Sequence, residues 1–346
     1  MTGTMTPMQR TLAAMSFKEP DRVPWFLLCT MHGARELGLP LREYFSKPEY
    51  VFRGQVAVRK RYDSDCYEAF FSAATEAEAW GGGILYRDDG PPNSGSPVIR
   101  KPEDIETIEI PVIEECEGLM KTLRLLELLK KDAKGDIPII SAVVSPFSVP
   151  IMQMGFEAYL DLIYTQPDLF NKLMKKNTEF CIRWSNALFD AGATALAYFE
   201  PLASPDMIPR ERYRITGLPL ATEVVKSVRG PMAVHLASGR TVPVINDLAG
   251  AGFVGIGVST NDDLGAVKAA CDRKLTILGN LNGVAMRNWT DAEAERIVRE
   301  VVHKAGHGGG FILSDNHGEI PWQVPDRVLM AISSAVKKYG TYPLDG

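Results

Sequence analysis

The chain has 346 residues, 45% of them hydrophobic and 23% charged, with a formal net charge of −5 and a pI near 5.7. This length holds one large α/β domain or two ordinary ones, and the balance is that of a soluble globular protein. The negative charge argues against nucleic acid as a partner, no apolar run reaches membrane-spanning length, and the stretch 1–16 lacks the apolar centre of a secretion signal. The five cysteines, Cys29, Cys66, Cys116, Cys181 and Cys271, are odd in number and form no Cys-x-x-Cys pair. They read as reduced core thiols of a cytoplasmic protein.

In chain order, a short helix over 7–15 leads to Glu19-Pro-Asp-Arg22. A first strand is predicted at 23–29, helices over 34–62, and a second strand at 65–71. Residues 86–112 open with Asp88-Asp-Gly-Pro-Pro-Asn-Ser-Gly95, which predicts hairpins or loops projecting from the body. From 113 the alternation is regular. A helix at 114–131 precedes a strand at 137–144, and a long helical region at 153–190 is interrupted near Gln166-Pro167. Strands are then expected near 194–200, 231–235, 253–258, 275–280 and 310–315. Between them lie helices at 209–229, 241–250, 261–272 and 290–305, the last opened by a Thr290–Glu293 capping box. A final helix covers 325–339. Alternation of this kind predicts a parallel sheet. About eight units with polar groups at their strand ends favour an α/β TIM barrel, (β/α)8, spanning 1–346 as a single domain with an N-terminal helical extension and a β-hairpin or loop insertion.

Three strands end in groups that carry chemistry. Met232-Ala-Val-His235 delivers a histidine into a Ser-Gly turn, Thr194-Ala-Leu-Ala-Tyr-Phe-Glu200 ends in a carboxylate, and Gly310-Phe-Ile-Leu-Ser-Asp315 runs into Asn316-His317. At the C-terminal ends of barrel strands these groups converge on one pocket. Simpler roles stay open for each. A strand-end histidine often only bonds a neighbouring loop, Glu200 before Pro201 can cap a turn, His317 can be part of turn chemistry, and Glu76 can sit on a solvated helix face.

Four segments together resemble the uroporphyrinogen decarboxylase superfamily, which includes cobalamin-dependent methyltransferases. They are Glu19-Pro-Asp-Arg-Val-Pro24, Thr75-Glu-Ala-Glu-Ala-Trp-Gly81, Leu278-Gly-Asn-Leu281, and Asn316-His-Gly-Glu-Ile-Pro321 followed by Val324-Pro325 and Tyr339-Gly340. Two departures narrow the resemblance. Decarboxylase members carry an arginine-rich loop after the first strand, where this chain has Cys29-Thr-Met-His-Gly-Ala-Arg35 with a single arginine. Coenzyme M methyltransferases resemble one another in two zinc-ligating cysteines, and here those places read Ala237 and a position close to His317.

The branch that remains demethylates small methylated donors, aryl methyl ethers above all, onto the Co(I) corrinoid of a partner protein. Alternatives are transfer from methylcobamide to another acceptor, decarboxylation, and a non-catalytic barrel that only binds. The resemblance implies zinc held by Glu200, His235 and His317, with Asp315, His317 and Glu76 as catalytic groups. Asn280 and Ser238 would face the corrinoid, and Trp25, His32, Tyr198 and Trp322 the methoxylated substrate. Homodimerisation is common for barrels of this size.

Overall fold

A computed structural model describes residues 4–344; residues 1–3 and 345–346, the ends of the expected 1–346 domain, lie outside it. The strands are β1 (Tyr67–Ala69), β2 (Ile84–Leu85), β3 (Asn93–Ser94), β4 (Ile139–Val144), β5 (Ala195–Phe199), β6 (Met232–His235), β7 (Gly255–Gly257), β8 (Thr276–Leu281) and β9 (Phe311–Asp315). Seven of them form one parallel sheet in the order β1-β4-β5-β6-β7-β8-β9, while β2 and β3 make the antiparallel hairpin of the expected insertion. Helices separate the successive parallel strands, as right-handed β/α connection requires.

Residues 23–29 do not form the regular strand expected of them. The segment is extended and fills the gap between the first and last sheet strands as an eighth, irregular stave. The amide of Phe26 donates to Leu313 on one side, and the Trp25 carbonyl accepts from Asp65 on the other. Pro24 has no N–H to give to a ladder, and the N–H of Trp25 goes instead to the Asp65 carboxylate at 2.9 Å. This is why the barrel closes here through single bridges.

Other boundaries moved for local reasons. The region 153–190 is three helices, Pro150–Met154, Phe156–Thr165 and Pro167–Ala191, the last opened by a proline in its first turn. The 209–229 region breaks into Arg210–Ile215 and Gly217–Ser227, because Gly217 packs so closely that a Cβ there would stand 2.4 Å from the Tyr213 ring. The Thr290–Glu293 capping box is present and opens Asp291–Ala305. All five cysteines are free thiols. Among the described residues no helix is long and apolar enough to cross a membrane.

Helix α1 (Pro7–Met15) lies across the N-terminal end of the barrel. Its Met8 amide donates to Asp136 and its Ala14 carbonyl accepts from Gly310. Arg10, almost fully buried, ties it down through Asp21 (2.7 Å) and Asp65 (2.6 Å).

Candidate active site

Side chains alternate along a strand, and the register shows which set faces the barrel axis. Ala142, Ala197, Ala233 and Gly255 are register partners across β4, β5, β6 and β7. One step toward the C-terminal ends, Phe199, His235, Gly257 and Leu278 form the next row. Bulky branched side chains fill the axis of most such barrels. Here one wall is alanine and glycine, and a cavity of about 180 Å³ remains. None of the residues lining it is an arginine or lysine.

His235 ends β6 and reaches this cavity. Its ring lies over Gly257, where a Cβ would stand 2.3 Å from Cδ2, and meets the edge of Phe199 at 5.4 Å between centroids. Nδ1 accepts from the amide of Ala237 at 3.0 Å, so the neutral ring carries its proton on Nε2. Burial, with a smaller contribution from nearby His317, pushes the His235 pKa down to about 4, so the ring is neutral at pH 7.

Ser238, in the turn after β6, hydrogen-bonds Nδ1 of His317, whose pKa is lowered by burial. Asp315 holds the turn that presents His317. Its Oδ2 accepts from the amides of His317 (2.8 Å) and Gly318 (2.7 Å), and burial raises its pKa to about 6. Asn280 donates to the Ser259 carbonyl, which keeps it at the same rim. The structure thus brings His235, Ser238, Asp315 and His317 together at the cavity mouth.

The other expected site residues stand elsewhere. Glu200 turns away from the axis into the layer between sheet and helices. There Oε1 accepts from Ser148 at 2.5 Å, Oε2 has no partner, and burial raises the pKa to about 7. Burial above all, and then the Glu200 carboxylate, oppose ionisation of Tyr159, Tyr198 and Tyr213, which share that layer. Glu76 is buried rather than solvated. It accepts from the Val144 amide at 2.8 Å, and burial raises it to about 8. Tyr198 packs on Phe253 on the outer side of β5, and the Trp25 indole donates to the Asp63 carbonyl. His32 and Trp322 are neighbours, with centroids 6.3 Å apart and Trp322 beneath Arg35, but neither lines the cavity. The zinc set Glu200, His235 and His317 therefore does not assemble. Among the described residues no three His, Cys, Asp or Glu side chains gather as a metal site.

Two carboxyls at the mouth were not singled out from the sequence. Glu68, on β1, lines the cavity and accepts from the Cys29 amide at 2.8 Å; burial, then the charges of Glu319 and Asp315, raise its pKa well above the ordinary range. Glu319 accepts from the Met31 amide at 2.8 Å and is raised to about 8, mainly by burial. The available signal was a lone charge in the apolar strand Cys66-Tyr-Glu-Ala-Phe-Phe71, since an unpaired interior carboxylate is costly unless protonated or functional.

These buried acids set a pH dependence. Glu200 and Glu76 are raised to about 7 and about 8, so the folded chain keeps protons that the unfolded chain has lost. Their stabilisation is complete below the unfolded value of 4.5 and disappears as pH rises through the folded values. His32 and His235, both lowered to about 4 by burial, oppose this in part, because the unfolded chain sheds their protons around pH 6.5. From pH 6.5 to 8.5 the protein is expected to lose about 2–3 kcal/mol through these two groups. Urea unfolding at both pH values checks this, and Glu76→Gln with Glu200→Gln should remove this part of the difference and leave the part that Glu319 and Glu68, raised in the same direction, contribute.

The uroporphyrinogen decarboxylase (URO-D) family profile matches residues 6–339. The uroporphyrinogen decarboxylase of Saccharophagus degradans is 24% identical, over 93% of this chain and 95% of its own. The methylcobamide:CoM methyltransferase MtaA of Methanosarcina barkeri is 23% identical, over 79% of this chain and 81% of its own. A solved methyltransferase from Methanosarcina mazei superposes with a TM-score of 0.86 at 20% identity, covering 97% of this chain and 99% of that one, which shows the same fold. The barrel with its irregular first stave and polar mouth, matched over almost its whole length, belongs to the uroporphyrinogen decarboxylase family.

Proposed function

We propose that this protein moves a methyl group from a small uncharged donor, best an aryl methyl ether, to the Co(I) corrinoid of a partner protein. The observation that carries this reading is the apolar lumen of about 180 Å³ with no cationic side chain in its wall. An apolar cavity of about 150 Å³ binds benzene, so the space suits one substituted aromatic ring. A porphyrinogen with many carboxylates needs several cationic partners. Arg35, the one arginine of the 29–35 loop, is engaged by Asp326 and by the carbonyls of Val324 and Trp322. Similarity to a methylcobamide-handling methyltransferase supports a corrinoid as the other substrate.

The methyl carbon–oxygen bond breaks as the corrinoid, a co-substrate, supplies the electron pair and takes the methyl group. Phenoxide is a poor leaving group, and a proton delivered to the ether oxygen improves it. Glu68, whose burial favours the protonated form, is the proton donor in this reading. His235, with its proton on Nε2, offers that oxygen a second hydrogen bond, and Asp315 and Ser238 hold His317 at the rim.

The test is anaerobic incubation of the protein with cob(I)alamin and a panel of methoxylated benzenes, followed by the absorbance change from Co(I) to methylated cobalamin. Methylation with at least one donor is expected. No methylation across the panel, together with turnover of uroporphyrinogen, would overturn the reading in favour of decarboxylation.

A further inference from the structure

The cavity continues well below the polar mouth. Its lining runs along β5 from Phe199 at the mouth to Ala195 and Thr194 at the opposite end. Four residue steps along a strand span about 13 Å. At the lower end it meets α1, where Met8 and Leu12 line it, and Leu12 is 54% exposed. The ionisable lining residues, Glu68, His235 and Asp315, belong to the upper end, so the lower half carries no charge. It does carry two orphaned hydroxyls. Thr276 is 1% exposed and faces the axis as the register partner of Gly255, and Thr11 of α1 is 5% exposed. Neither hydroxyl oxygen has a hydrogen-bond partner. Leaving such groups buried and unpaired is costly, and an oxygen on a bound molecule would satisfy them.

We infer that the lower lumen is a second subsite for the donor, taking an uncharged, elongated apolar arm with a single hydroxyl or ether oxygen at its far end. This rests on the reading of the mouth as the methyl-transfer site. It narrows the substrate class to aryl ethers substituted opposite the methoxy group, and disfavours donors with a charged tail. The row Ala142, Ala197, Ala233 and Gly255 leaves the arm its room.

The test is calorimetric binding of 4-alkylanisoles, from methyl to butyl, and of the same arms ending in a hydroxyl. In the wild type, affinity is expected to rise about fourfold per methylene, with a further gain for the hydroxyl. Ala233→Leu, which fills the shaft, should abolish the rise with chain length. Ala195→Val serves as the second shaft variant if Ala233→Leu does not fold. Thr276→Val should remove about fivefold of the hydroxyl-dependent gain and leave the alkyl series sloping. A flat alkyl series in the wild type, or a slope unchanged in a folded shaft variant, would overturn the inference. Because no cobalamin is present, the two readings fail separately: a clear slope without methyl transfer removes only the proposed reaction, and methyl transfer without a slope removes only the subsite.

Discussion

Glu68→Gln is expected to slow methyl transfer by roughly a hundred- to ten-thousand-fold while leaving the melting temperature within a few degrees of wild type. Glutamine matches glutamic acid in shape, and its amide oxygen can still accept from Cys29, the bond that positions the side chain. What it lacks is an acidic proton. Burial, reinforced by Glu319 and Asp315, raises the wild-type carboxyl's pKa and so favours its neutral form, which the glutamine amide matches in charge. The sign of the pH dependence follows. The donor works below its raised pKa, and the wild-type rate should fall as pH rises through it, whereas Glu68→Gln should show a slow rate without that fall. Single-turnover methylation of cob(I)alamin across pH measures both. A full rate in the variant with an unchanged profile would remove Glu68 from the reaction.

Asp65→Ala should cost about 3–5 kcal/mol, the usual consequence of leaving buried partner charges unpaired. Asp65 is 1% exposed and accepts from Arg10 (2.6 Å), from Arg22 (2.7 Å) and from the Trp25 amide (2.9 Å). One carboxylate thus joins α1, the irregular stave at 23–29 and the segment entering β1. The comparison is Glu300→Ala, which breaks an exposed pair with Arg296 on one helix and should cost under about 0.5 kcal/mol. Urea unfolding of both variants measures the difference, and a loss at Asp65 no larger than at Glu300 would show that the network holds nothing together.

Most of the architecture was legible in the sequence because its signals are local. Runs such as Met232-Ala-Val-His235, separated by amphipathic helices, specify a parallel α/β barrel without knowledge of contacts. The stave at 23–29 was misread as a regular strand because its apolar content looks right. Its hydrogen bonding is decided by Pro24 and by a carboxylate forty positions away. The site was legible only in part. Strand-end position correctly places a residue at the C-terminal rim but not on which side of the sheet it points. His235 shares the parity of Ala233 and faces the axis, while Glu200, one step past Phe199, turns outward into a nest of serines and tyrosines. Glu76 looks like a solvated helix residue because only the fold places Val144 over it. Glu68 was overlooked because nothing local shows that its strand lines the lumen.

The fastening of α1 has a consequence for synthesis. The helix closes the barrel base through Ala14, whose carbonyl accepts from Gly310, and the neighbouring stave bonds Leu313. Both partners are made nearly a whole chain later. At about 5–20 residues per second, α1 leaves the ribosome roughly 15–60 s before the strand it closes against exists. Throughout that interval Phe26 and Ala14, which end up packed on Ile312, have no partner there. Final closure is thus a long-range event, the kind that makes folding slow. The nascent chain carries an uncovered apolar seam until then, the kind of transiently exposed surface that favours aggregation over folding.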